Sequence, residues 1–320
     1  EDCEVGKAMP DTAESECDDC QPGTFASGLG FTECRDCPAG TAAPSLTSTA
    51  CTNCSAGTYS GLAASECIDC FPGTFSAEIR SESCDDCPAG SAGPGYARTN
   101  CTVCPRGTAA EAASPSCDDC PGGRYSNEPS SKNCTAVPAG YYSINTTDFD
   151  ACEAGEFSLK AASSCTLCPA GRFSDSDASD ECDECPAGTF QSVRGQTDCD
   201  DLPAGFASDE AGVVSISNAT VCNNGSYAAS PGSENCTLAS PGFVVAASST
   251  NQTNQVPCPE GTYAPVQGLS SCLDCPTGRY NPLIAQSVCA SCSGGTANNR
   301  TGSTSSSDCR TCSAGWYAPE

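Results

Sequence analysis

Cysteine is the one residue type here both abundant and regularly spaced enough to define a chemistry: 31 of 320 residues, with twelve complete C-x-x-C motifs from Cys17/Cys20 to Cys309/Cys312. Thiols at that spacing chelate zinc as knuckles, shuttle electrons as redox dithiols, or enter disulfides. Cys34/Cys37 followed by Cys51/Cys54 has the layout of a zinc ribbon. Redox dithiols of the thioredoxin kind need a βαβ setting, which the pattern does not supply. Other chemistries are excluded more simply. The chain has no His, hence no histidine base, no Ser-His-Asp triad and no imidazole ligand. Its 40 Asp and Glu residues could pair catalytically only inside an enclosed site that separates two pKa values. Enzymatic activity is not expected.

Three interruptions decide how the cysteines pair. Val137, Leu202 and Ala239 stand where the second cysteine of a motif belongs, and the next first-cysteine positions are Phe149, Ala219 and Gln255. Each time the two missing cysteines are the two ends of one loop, never the two members of one C-x-x-C. Zinc knuckles or vicinal bridges would orphan Cys134, Cys152, Cys199, Cys222, Cys236 and Cys258. Joining the second cysteine of each motif to the first of the next orphans none of them. The expected bridges are Cys3–Cys17, Cys20–Cys34, Cys37–Cys51, Cys54–Cys67, Cys70–Cys84, Cys87–Cys101, Cys104–Cys117 and Cys120–Cys134. They continue as Cys152–Cys165, Cys168–Cys182, Cys185–Cys199, Cys222–Cys236, Cys258–Cys272, Cys275–Cys289 and Cys292–Cys309. Cys312 is left over, and its partner is expected beyond residue 320. Each closed loop contributes about 3 kcal/mol by the chain-entropy argument.

The elements that hold these cysteines form a repeat. A glycine three residues after a cysteine or its substitute recurs nineteen times, from Gly6 to Gly315, in steps mostly of 16 or 17 residues. A typical unit reads C-P-A-G-T-aromatic, as at Cys185-Pro186-Ala187-Gly188-Thr189-Phe190, followed by a polar stretch and the next C-x-x-C. Pro presets φ and Gly supplies a positive φ, so Pro-Ala-Gly is a turn. Thr-aromatic then opens a strand. A unit has room for two strands of four or five residues and no useful helix. The ring two residues after the glycine (Phe25, Tyr59, Phe75 and others) is expected to pack on the neighbouring disulfide.

Composition agrees. Leu, Ile, Val and Phe make up roughly one residue in eight, below the fifth or so that a charged chain needs for a packed core. Covalent staples are the expected substitute. The expected fold is therefore small disulfide-rich β modules of about 17 residues, with little or no helix, stacked into an elongated rod or solenoid. Four stretches are distinguished: regular repeats over 1–136, repeats after a lost bridge over 137–201, divergent bridge-poor repeats over 202–257, and regular repeats over 258–320, the array continuing beyond.

The pattern C-P-x-G-T-[FY], with a cysteine fourteen residues after the first, resembles the first half-module of tumour-necrosis-factor-receptor cysteine-rich repeats. In tandem it resembles the ephrin-receptor-like cysteine-rich repeat of receptor ectodomains and of long surface and flagellar-hair (mastigoneme-like) proteins of algae and protists. The resemblance implies one bridge per module, an elongated shape and an extracellular setting. It does not separate receptors from fibres.

The surface carries further signals. N-x-[ST] sequons stand at Asn53, Asn100, Asn133, Asn145, Asn218, Asn224, Asn235, Asn251 and Asn299; nine in a disulfide-type chain make N-glycans expected. Acidic pairs sit inside the knuckles at Asp18-Asp19, Asp85-Asp86, Asp118-Asp119 and Asp183-Glu184. They read as a solvated repelling face in preference to a Ca²⁺ edge, and Asp175 to Glu181 lacks the Gly and downstream Glu of an EF-hand loop. No cofactor is expected. The β-branched runs Val213-Val214-Ser215-Ile216 and Val244-Val245 have two readings: packing that replaces lost bridges, or an apolar edge for assembly contacts at Val213, Val214, Ile216, Val244 and Val245. A net charge of −27 repels nucleic acid and anionic membrane, and no apolar run is long enough to enter a bilayer.

The expected role is a secreted or cell-surface structural glycoprotein of a filament, flagellar hair or coat, associating with itself or with other matrix proteins. The alternatives are a receptor ectodomain or stalk, or a spacer beside an unseen catalytic domain. Peptide mapping without reductant should recover Cys34 joined to Cys20 and Cys37 joined to Cys51. Recovery of Cys34 joined to Cys37, or stoichiometric metal released by a chelator, contradicts the ladder.

Overall fold

The structure is a computed structural model that describes residues 2–9, 16–246 and 252–313. The chain forms two compact units, Glu1–Ala151 with Leu159–Ser164 and Cys152–Ser158 with Cys165–Glu320, built from the same module. The Gly40 module illustrates it. Pro38-Ala39-Gly40-Thr41 is a tight turn in which both the N–H and the Oγ1 of Thr41 donate to the Pro38 carbonyl, at 3.1 and 2.7 Å. Gly40 takes φ +79° at the third turn position, where a type II turn needs a left-handed residue. Pro38 occupies the first position, so it serves as the acceptor and its fixed φ matters less than the sequence suggests.

Thr41–Ala42 then pairs antiparallel with Thr52–Asn53, Thr41 opposite Asn53. The second strand is thus the pair of residues inside the next C-x-x-C, and Cys54 N–H extends the ladder to the Gly40 carbonyl at 2.9 Å. Cys37–Cys51 closes the hairpin with Cα atoms 5.7 Å apart. Eighteen two-stranded sheets of this kind occur among the described residues. Their strands are two residues long, except Tyr141–Ser143 with Phe149–Ala151, shorter than the four or five expected. Turn and bridge consume the remaining length, because the closing cysteine must lie directly beside the short second strand.

Most modules donate to their neighbour through the same three backbone bonds. Gly40 N–H donates to Ser60 O at 2.8 Å, Ala43 N–H to Ala64 O at 3.1 Å, and Ala63 N–H back to Cys37 O at 2.8 Å. The set recurs in the second unit as Gly188 to Ser208, Gln191 to Val213 and Gly212 to Cys185. These bonds satisfy donors and acceptors that two-residue strands leave unpaired.

The third bond has a conformational requirement that the 17-residue pattern does not advertise. Its donor is a left-handed residue: glycine at Gly30 or Gly212, but a side-chain-bearing residue at Thr47 (φ 59°), Arg80 (63°) or Ala113 (59°). Contact also reaches two modules ahead, where a Cβ on Gly40 would overlap the Arg80 carbonyl oxygen.

The interior is narrow and made of small atoms. Module-opening cysteines such as Cys20, Cys37, Cys70 and Cys87 are fully buried, and beside them lies the residue three after each glycine: Ala26, Ala43, Ser60 and Ala264, all 0% exposed. The rings expected to form the core (Phe25, Tyr59, Phe75, Phe190) are only half-buried. No space for an aromatic ring remains where backbones approach this closely.

Two consequences follow for stability. Gly40→Ala should cost about 2 kcal/mol or more, from left-handed strain plus displacement of the Arg80 carbonyl, read as accelerated hydrogen exchange at the Gly40 and Ala43 amides. Thr47→Gly should do the opposite, gaining on the order of 1 kcal/mol and slowing exchange at the Thr47 amide several-fold.

Candidate functional surface

The structure holds fifteen disulfides, Cys3–Cys17 through Cys292–Cys309, joined as enumerated above, with Cα separations of 5.5 to 5.8 Å. In most bridges the opening cysteine is buried, while its partner (Cys34, Cys51, Cys84) is half-exposed at the hairpin; Cys292 is half-buried instead, and Cys182 and Cys289 are buried closing cysteines. Cys312 is unbridged and half-exposed.

Bridge-free modules keep the same backbone. Val137, Leu202 and Ala239 are completely buried, and their N–H groups donate to Gly123, Gly188 and Gly225 O at 2.9, 2.9 and 2.8 Å, as the cysteines do elsewhere. What replaces sulfur differs. Phe149 packs against Tyr125 at 4.8 Å and edge-on to Tyr141 at 5.5 Å. Gln255 Oε1 accepts from the Ser240 N–H at 2.7 Å, a hydrogen bond across the position of the missing bridge. Leu202 fills its site with a larger side chain, and Ala219 caps a 3-10 turn over Ile216–Asn218.

That packing corrects part of the expected assembly surface. Val213, Val244 and Val245 are 6%, 8% and 1% exposed; they fill their own modules, where large apolar side chains compensate for absent bridges. Of the five residues, only Val214 is exposed, and Ile216 is half-exposed in the 3-10 turn.

The polar signals lie outside. Asn53, Asn100, Asn133, Asn145, Asn218, Asn224, Asn235 and Asn299 are all exposed, and Asn251 lies outside the described residues. Asn145 is the most structured: its Oδ1 accepts from the Thr147 N–H and Oγ1 and from the Asp148 N–H, at 2.7 to 2.8 Å. The knuckle acids are the exposed second strands, Asp18–Asp19, Asp85–Asp86, Asp118–Asp119 and Asp183–Glu184. Lys7 stands directly across from Asp19 and pairs with it at 3.2 Å, and Arg172 pairs with Glu184 in the same way. Asp177 is engaged by the fold, its carboxylate accepting from the Ala154 N–H at 3.0 Å. Among the described residues, no three Cys, Asp or Glu side chains converge on a point that could hold a metal ion.

Sequence reading missed two positions that matter: the small residue three after most of the glycines and the left-handed residue six or seven after it. The first was legible as the near-constant Ala or Ser at 26, 43, 60, 76, 110 and 126. The second was not, because Leu46-Thr47 and Ile79-Arg80 carry no turn signature.

These features define a class: tandem disulfide-bonded β hairpins joined through backbone hydrogen bonds. The sequence profile described as tyrosine-protein kinase ephrin type A/B receptor-like matches residues 57–97, 155–199, 171–218, 245–282 and 261–309, more than half of the chain. The chain belongs to that family of cysteine-rich repeats, and family and disulfide density together make it an extracellular repeat protein. Compared with curated proteins, it has no match. No helix among the described residues is long and apolar enough to cross a membrane.

Leu202→Ala should open a cavity costing about 2 to 4 kcal/mol. Hydrogen exchange across 202–222 would accelerate while the bridged 258–292 stretch stays unchanged; equal acceleration in both would contradict a local role.

Proposed function

We propose that this chain is a structural, glycosylated extracellular protein, a component of a filament, flagellar hair or cell-surface coat. The observation that carries the reading is the uniformity of the joint. The three-bond pattern of Gly40 and Ala63 recurs around Gly188 and Gly212 and in most of the described modules. A chain whose units contact mainly their neighbours makes length its product. Exposed sequons and acidic strands provide a hydrated coat over the backbone. Its mechanism is mechanical and non-catalytic, and its partners are further copies of itself or other matrix proteins. Calcium has no part in the reading.

A second reading is a ligand-binding ectodomain or stalk, favoured by the receptor-like family and by the departures around 202–257. Negative-stain microscopy of the glycosylated protein at high concentration decides between them. Ordered assemblies support the structural role, whereas dispersed single particles that capture a soluble ligand support the receptor. Mass spectrometry should find glycan at most of the eight exposed sequons; bare asparagines throughout would remove the coat from the proposal.

A further inference from the structure

We propose that the bridge-free modules are the main extensible elements of a chain whose disulfides otherwise shorten the path that carries load, so that between Cys3 and Cys309 tension releases its longest segments at those modules while the bridges stay oxidised. Its biological use rests on the structural reading above, but the property belongs to a single chain.

The argument follows the covalent path that a pulling force would take. In a bridged module that path enters at the opening cysteine, crosses sulfur to sulfur to the closing cysteine and leaves through the two residues of the next C-x-x-C. With Cys185–Cys199 the crossing spans 5.7 Å between Cα atoms, and the residues between them form a side loop that never carries load. Unfolding that loop adds no length.

Between Cys199 and Cys222 no such shortcut exists, and the path runs through every residue, including the 3-10 turn Ile216–Asn218. Only non-covalent contacts hold that segment: the buried Leu202 side chain, and bonds such as Ser208 N–H to Ser233 O at 3.3 Å and Gly232 N–H to Leu202 O at 2.9 Å. No disulfide shortcuts the path from Cys134 to Cys152, closed by the Phe149 ring contacts, or from Cys236 to Cys258, part of which lies outside the described residues. At ~3.3–3.6 Å per residue, full extension of each segment spans on the order of 60 to 80 Å.

The structure also supplies the closed counterpart. Cys292 and Cys309 are 17 residues apart and bridged, with a 3-10 turn at Ser306–Asp308 directly before the closing cysteine. Leu202 and Ala219 have the same spacing and the same turn. A cysteine pair at those two positions therefore has a template.

The test is single-molecule pulling of the full oxidised chain held by terminal handles. The expected trace has three lengthening steps, together about 200 Å or less. Reductant should free on the order of 40 Å more from each bridged loop and so raise the released length about fourfold. L202C/A219C, its bridge verified by mass, should remove one step. Cys275→Ala with Cys289→Ala should add a fourth, and carries the test alone if the engineered bridge fails to form. An oxidised chain that shows no steps, extends as far as the reduced one, or gains none from the Cys275/Cys289 variant overturns the proposal. Microscopy that finds no assembly would sink the filament reading and leave these steps untouched.

Discussion

The backbone of this protein has nowhere to hide, and that constraint governs the rest. With so few large apolar side chains there is no thick interior in which strands could lengthen and pair with one another. A two-residue hairpin leaves most of its peptide groups unpaired, and buried unpaired groups are costly. The solution is to give each module's polar groups to the next one. Gly40, Ala43 and Ala63 do this along one joint, and the close approach of backbones there leaves room only for small residues such as Ala43 and Ser60 beside the buried sulfur.

Disulfides act on this arrangement from the side of the unfolded chain. Val137, Leu202 and Ala239 show that the hairpin and its joints form without sulfur, since their N–H groups make the bonds that cysteine makes elsewhere. The bridge therefore adds persistence more than shape: it removes loop entropy from a unit whose folded contacts are few. Where it is missing, the chain spends bulk instead, with Leu202, Val245 or the Phe149 ring taking up the volume.

How much was legible follows the same division. Pairing could be read because the losses come in partnered positions, and the module length because glycine and cysteine are conspicuous. The family profile supports the repeat reading over more than half of the chain. The joint was harder to see, since a left-handed Thr47 or Arg80 is imposed by a bond to a cysteine carbonyl in the preceding module, and local propensity argues against it. The aromatic rings misled for a related reason: conspicuous side chains were assigned to an interior that close backbone approach reserves for small ones. Exposure of the sequon asparagines could be expected, and the burial of Val213, Val244 and Val245 follows the packing reading of those β-branched runs.

The disulfide spacings of 13, 14 and 17 residues differ only in the outward loop. The shortest drops a residue before the left-handed position, and the longest inserts its 3-10 turn after it, leaving the inward geometry alone. A gene encoding such a chain can therefore duplicate, delete or resize a repeat by recombination without remodelling those on either side, which makes reach a trait that drifts and adapts independently of the architecture.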